Sequence, residues 1–260
     1  MKYFVVSDVH GFYTLFMDAI TKAGFDENNP NHKLIICGDL LDRGNEPKLM
    51  EAYIIRLLEK DKLIFIKGNH EVLMGAMVDD LMKRNASAYD LVASVHAYNG
   101  TLRTAMDLTD TTYTDIIDFP RYFASLIQDT PYYIQCVLSK QMFFETEHYI
   151  FTHAWIPTEI GWNGKERIVP NWRDLDADSP LWSQAIWVNG MEKAYKGLTV
   201  PDKTIVCGHW STSWGHYWIH NNGKESGKGG VYEPYYDKGI IAIDGCIPVS
   251  KKVNCIMIED

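Results

Sequence analysis

Six short apolar runs, each closed by a polar motif, constrain this chain more than any other feature of its sequence. Tyr3 to Val6 leads into Ser7-Asp8-Val9-His10, Leu34 to Cys37 into Gly38-Asp39, and Leu63 to Ile66, after Lys67, into Gly68-Asn69-His70-Glu71. Later, Tyr149 to Thr152 precedes His153, Thr204 to Cys207 precedes Gly208-His209, and Ile240 to Ile243 precedes Asp244. Runs of about four residues, rich in β-branched side chains and bounded by Gly or polar residues, read as buried strands of a mostly parallel sheet. The chain is therefore expected to be an α/β protein.

Between the first three runs, the stretches Phe12 to Ala23 and Glu46 to Leu58 have helical character and are long enough to cross back over a sheet. In such sheets ligands bind outside the carboxyl ends of the strands, so motifs far apart in sequence become neighbours. The region from Val72 to about Gln128 lacks comparable strand runs and reads as helical, with Pro120 interrupting it and Pro131 starting a new extended segment. We expect one domain over residues 1–260, with a mainly helical insertion over about 72–130. Asn221 to Gly230, with four glycines, reads as a loop.

Composition excludes several classes. Apolar residues make up 46% and charged residues 23% of the 260, as in ordinary globular proteins. A formal net charge of −9 repels polyanions, so duplex nucleic acid is not an expected partner. No run approaches the roughly 20 apolar residues of a membrane-spanning helix, and the apolar stretch after Met1-Lys2 is too short for a signal sequence. Cys37, Cys136, Cys207, Cys246 and Cys255, an odd number without a C-x-x-C pair, suit a reducing compartment as small core residues. A cytoplasmic protein with no membrane partner is expected.

The polar motifs carry the chemistry. Asp8-x-His10 places a carboxylate and an imidazole on one face of a strand end, where they can chelate one cation. Gly38-Asp39-x-x-Asp42-Arg43-Gly44 adds a carboxylate able to bridge two metals and a guanidinium whose planar fork suits phosphate oxygens. Asn69 offers a neutral oxygen ligand, and the adjacent His70 can move protons near neutral pH. His153 and His209 follow apolar runs, and imidazole is the commonest side-chain metal ligand. Each motif alone is explained equally well by a helix cap or a turn. Five of them at five strand ends, all with O or N donors and no thiolate, are not.

In this order the motifs D-x-H, G-D-x-x-D-R-G, G-N-H-E, H-A and G-H resemble the calcineurin-like metallophosphoesterases, above all the branch of bacterial and phage serine/threonine protein phosphatases. They span Asp8 to His209, and Ser211, standing where some relatives carry G-H-x-H, favours that branch. The resemblance implies a four-layer α/β/β/α sandwich of two mixed sheets flanked by helices. It implies that Asp8 and His10 hold a first metal, that Asn69, His153 and His209 hold a second, and that Asp39 bridges both. His70 is then the general acid, oriented by Asp42, and Arg43 is both catalytic and substrate-binding through the phosphoryl oxygens. The expected reaction is phosphomonoester hydrolysis, on a phosphoprotein or small phosphoester, by in-line attack of a metal-bridging hydroxide. The cofactors are two divalent metal ions, Mn²⁺ first on the resemblance, with Fe and Zn²⁺ as alternatives that the O/N donor set also suits.

The chain departs from the pattern where relatives supply a second phosphate-binding arginine, since Leu181 to Trp187 contains none; Arg167 and Arg173 lie nearby without a matching motif and read as solvated loop charges. Trp210, Trp214, Tyr217 and Trp218 follow His209 and read first as sheet-packing aromatics, second as the mouth of a site. His216 and His220 read as surface residues outside a helix, and Asp244 as a turn acid or a ligand-orienting group. Dinucleoside polyphosphate hydrolysis is the alternative activity, suggested by these aromatics and by Asp244-Gly245-Cys246. A catalytically weakened metal-binding module is the alternative of another class.

Overall fold

The computed structural model describes residues 1–83 and 94–260. Three of the six apolar runs form one sheet and three another. The first sheet has the order β11-β1-β2-β3, from Ile256–Glu259, Lys2–Val6, His32–Cys37 and Leu63–Ile66. β1, β2 and β3 are parallel, and β11 is an antiparallel edge. The second sheet has the order β4-β5-β8-β10-β9, from Phe143–Glu145, Tyr149–Thr152, Thr204–Cys207, Ile240–Ala242 and Tyr235–Asp237. Here β5, β8 and β10 are parallel, with β4 and β9 as antiparallel edges. β6 (Thr158–Ile160) and β7 (Glu166–Ile168) form a separate hairpin.

The continuous apolar runs are explained by burial on both faces. In β1 and β2, Val5, Ile35 and Cys37 point between the sheets, where they meet Phe151 and Val206 of the second sheet. Their neighbours Phe4, Val6, Leu34 and Ile36 point outward to α1 (Tyr13–Ala23) and α2 (Pro47–Glu59). Both helices bury residues at helical spacing, Phe16 and Ile20 in α1 and Met50, Tyr53, Ile54 and Leu57 in α2. The outer face of the second sheet is covered differently, by Trp155, Trp172 and Trp182 with Ile186 and Met191 around α8 (Pro180–Ala185) and α9 (Gly190–Tyr195). The result is two mixed sheets flanked by helices, the sandwich that the motifs imply.

After α3 (Asn69–Met82), four helices follow from residue 95: α4 (Val95–Asn99), α5 (Thr101–Thr109), α6 (Tyr113–Asp118) and α7 (Pro120–Gln128). The part of the expected helical insertion at residues 84–93 lies outside the described residues. Three expectations are corrected. Pro131 does not start an extended segment: it opens a helical turn that widens over Tyr133–Val137, closed by Leu138 N–H on Tyr133 O, because proline suits a first helical position as well as an extended one. The six runs do not form one mostly parallel sheet but divide between two, whose motif-bearing ends converge. Cys246 and Cys255 are only partly buried, unlike the other three cysteines.

Candidate active site

In the first sheet, Val6 pairs with Ile36 and Cys37 with Ile66, which brings the three strands to an end side by side; in the second, Phe151 pairs with Val206 and Cys207 with Ala242. The chain leaves these ends in tight turns that place non-glycine residues in left-handed backbone: Asp8, His10, Asp39, Asp42, Arg43 and His209 have φ between 48° and 72°. Such conformations cost energy in any residue with a Cβ, Asp and His least among them, and they gather at functional sites. Gly208 sits against the Asp8 carboxylate, and Gly68 against the Asp39 carboxylate; a Cβ at either would collide with it.

The imidazoles are aimed by backbone carbonyls. His10 Nδ1 donates to Leu41 O at 3.0 Å, His153 Nδ1 to Cys37 O at 2.8 Å, and His209 Nε2 to Trp187 O at 3.2 Å. Each bond uses the ring's one hydrogen and leaves the other nitrogen as a lone pair facing the centre. His153 Nε2 there lies 2.8 Å from Asn69 Oδ1, 3.2 Å from His209 Nδ1 and 3.4 Å from Asp39 Oδ1. The other oxygen of Asp39 faces His10 Nε2 at 3.9 Å and His70 Nε2 at 3.8 Å. Lone pairs that converge without hydrogens between them repel one another and fit a divalent cation. Asp39 presents one oxygen to this group and the other to His10 and His70, whose Nε2 lone pairs here receive the N–H groups of Arg43, and the set of O and N donors suits hard or borderline metals. The Asp8 carboxylate lies alongside, accepting the His209 N–H at 2.9 Å.

Beside these groups stands a second layer. His70 Nδ1 donates to Asp42 Oδ2 at 2.6 Å, both side chains being buried. The Arg43 guanidinium spans His10 Nε2 at 3.1 Å and His70 Nε2 at 3.0 Å. Glu71, part of the third motif but given no role from sequence, is fully buried, and accepts from Asp39 N, Leu40 N, Gly68 N and the Tyr132 hydroxyl. It ties the turn after β2 to the turn after β3.

Electrostatics divide these groups by role. Burial lowers His10 and His209 to about 3, so both are neutral lone-pair donors at neutral pH. Burial opposes ionisation of Asp39, but the imidazoles of His153, His70, His10 and His209 outweigh it and hold the carboxyl below its ordinary range. Burial also opposes protonation of His70; Asp39 and Asp42 outweigh that and raise it. Asp8 is raised by burial and by Asp244 and Asp39, and burial brings Asp244 up to about 6. Asp244 Oδ1 accepts from Cys246 N, and the carboxyl is buried close enough to act on Asp8.

All nine residues expected at the site thus meet where the two sheets converge. Arg167 and Arg173 do not join them: the first pairs with Glu159 within the β6–β7 hairpin, the second bidentately with Glu145 while lying over Trp172. The reading of the late aromatics as sheet packing is corrected for Trp210, Tyr217 and Trp218, which are exposed, whereas Trp214 packs against the second core. Trp187 is exposed edge-on to His209 with Trp210 beside it, so these two form a rim. His216, expected outside a helix, lies in α10 (Thr212–Trp218), with His220 just beyond it and both rings against Tyr235. The glycine tolerated there, Gly215, is buried against Tyr235, where a side chain would not fit.

The family model for calcineurin-like phosphoesterases matches residues 1–225. The chain belongs to that family. Among curated relatives of this phosphoesterase, a bis(5'-nucleosyl)-tetraphosphatase from Bacillus velezensis is 26% identical over 139 residues, 51% of each chain. Serine/threonine-protein phosphatase 2 from Salmonella typhimurium is 25% identical over 207 residues, 79% of this chain and 78% of that one. The chain spans about half the length of the first of these. A mutant of a cold-active protein tyrosine phosphatase shares the fold, with a TM-score of 0.52 at 17% identity over 100% of this chain and 75% of that one.

Proposed function

We propose that this chain is a metal-dependent phosphoesterase that hydrolyses phosphomonoesters, with a phosphoprotein or a small phosphoester as substrate. The observation that carries the reading is the set of lone pairs turned inward by backbone carbonyls, next to a guanidinium and a carboxylate-held imidazole. Asp8, His10, Asp39, Asn69, His153 and His209 would hold two divalent cations, Mn²⁺ first. When bound, these would acidify a water and neutralise phosphoryl charge. Arg43 offers its N–H fork to the phosphoryl oxygens. His70 is fixed through Nδ1 by Asp42, and its Nε2, which faces an Arg43 N–H in this structure, would carry the proton for the leaving alkoxide once Arg43 turns to the phosphoryl oxygens. Five free thiols suit the reducing cytoplasm, and among the described residues no helix is long and apolar enough to cross a membrane.

A second reading, dinucleoside polyphosphate hydrolysis, is favoured by the exposed Trp187 and Trp210 at the rim, which offer faces for a nucleobase, and by the tetraphosphatase relative. The test begins with metal-stripped protein on an aryl phosphate with and without Mn²⁺, followed by a panel of phosphopeptides and dinucleoside tetraphosphates. Metal-dependent turnover is expected, with phosphopeptides or small monoesters leading. Leading turnover of the tetraphosphates selects the second reading. No metal-dependent turnover anywhere leaves a metal-binding module.

A further inference from the structure

We propose that Asn99-Gly100-Thr101, between α4 and α5, is a clamp that positions the Asp42–Arg43 pair, Thr101 acting through Asp42 on His70 and Asn99 acting on Arg43. The inference rests on the hydrolytic reading above for its kinetic consequences, though not for its geometry. Thr101 is fully buried, and its hydroxyl donates to Asp42 Oδ2 at 2.7 Å, the same oxygen that accepts from His70. The other oxygen of Asp42 is buried with no hydrogen-bond partner among the described residues. Two bonds to one oxygen are therefore what fixes the plane of this carboxylate, and Thr101 supplies one of them.

Asn99 is aimed in turn. Its amide nitrogen donates to Val95 O at 2.9 Å, which turns Oδ1 toward Arg43 Nη2 at 3.4 Å. Between them Gly100, at φ +89°, passes so close that a Cβ would come within 2.8 Å of the Arg43 amide nitrogen. Asp42 and Arg43 are consecutive left-handed residues, at φ 72° and 65°. Such a pair persists where its surroundings over-determine it. The three clamp residues press on both members of the pair, from an element 56 to 59 positions away in sequence.

The two arms act on different steps. Thr101 bears on proton delivery, which matters for a poor leaving group and little for a good one. Asn99 bears on the group that grips the phosphoryl oxygens, whatever the leaving group. Thr101→Val should lower kcat on an alkyl phosphate about tenfold, a fraction of the effect of general acid catalysis, with KM held. On nitrophenyl phosphate the loss should stay below about twofold, because nitrophenolate leaves without a proton. Thr101→Ser should restore the alkyl phosphate rate. Asn99→Ala should raise KM about fivefold on both substrates, the loss of one long, solvent-exposed hydrogen bond.

A third measurement does not need turnover. In metal-free protein the Nδ1–H proton of His70, in its 2.6 Å bond, should shift in the NMR spectrum of Thr101→Val and return in Thr101→Ser. Equal loss on both substrates, or an unmoved His70 resonance, overturns the clamp. If the wild type turns over no phosphoester, the hydrolytic reading fails, and the resonance alone then decides for or against the clamp. Should Thr101→Val not fold, Thr101→Ala carries the same comparison.

Discussion

The two sheets contribute to one site in unlike ways. Turns after β1, β2 and β3 bring Asp8, His10, Asp39, Asp42, Arg43, Asn69 and His70, in three compact motifs bonded to one another: Asp8 N–H donates to Gly38 O, His10 N–H to Asp39 O, and His70 N–H to the Asp39 carboxylate at Oδ1. The second sheet brings His153 and His209, single residues held by carbonyls from elsewhere, Cys37 of the first sheet and Trp187 of a loop. Its core is also different, with three buried tryptophans where the first, among the described residues, has none. The first half reads as the frame of the site and the second as its closing wall. A frame should fail as a whole when one member is lost, whereas a wall should fail locally.

That contrast can be broken most decisively at the metals. Asp39→Asn, which disturbs the carboxylate facing both donor groups, should strip the protein of metal and turnover together, while His209→Ala should retain about one equivalent per chain by elemental analysis. Equal metal loss in the two variants would erase the distinction between frame and wall. Within the frame, His70→Asn should lower kcat by about 10²–10⁴-fold and leave the metal content intact, which separates the proton donor from the ligands.

The cores offer a smaller effect. Trp182 is buried, stacked on Phe143 and edge-on to Trp172. Trp182→Ala should cost about 3–5 kcal/mol in denaturant unfolding, and Ile36→Ala in the first core about 2–5 kcal/mol. A two-step transition in the Trp182 variant alone would show that the halves unfold separately; a single transition in both would show one cooperative unit.

The smallest expected effect sits at the edge of the second sheet. Bonds from Arg173, with help from Lys203, hold Glu145 at about 2, below its ordinary value of 4.5. A carboxyl depressed in the folded state stabilises it above the unfolded value and loses that contribution as pH falls through the folded one. Glu145→Gln should therefore be less stable than the wild type by about 1 kcal/mol at pH 7, after allowance for solvent screening. The difference should close between pH 4.5 and pH 2, as measured by thermal melts.

The same contrast explains what was legible in the sequence. The six parallel strands announce themselves because burial on both faces forces unbroken apolar runs, and the motifs follow them because strand ends are where the turns must be. The antiparallel edges Phe143–Glu145, Tyr235–Asp237 and Ile256–Glu259 are three or four residues long and each ends on an acid, and pairing with a neighbour, not their composition, makes them strands. Ligands inside a motif are readable because their spacing is local. Asn99 and Thr101 act on residues 56 and 59 positions away, where no local pattern marks them, and Glu71, though visible within its motif, shows nothing there of its reach to Asp39 and Leu40, 32 and 31 positions away. Exposure misled at Trp210 and Trp218, since an aromatic run carries no sign of which face it will cover.

The left-handed residues around the site have one more consequence. At Asp8, His10, Asp39, Asp42, Arg43 and His209 the conformation suits glycine better than the residue present, at a cost on the order of 1 kcal/mol each. At Asp39 and Asp42 glycine would also strand the buried donors of His70 and Thr101, which costs more than the strain, but at the exposed Arg43 selection for heat resistance alone, applied to a library of this chain, would reward glycine. Its most robust survivors would lack the guanidinium that spans His10 and His70.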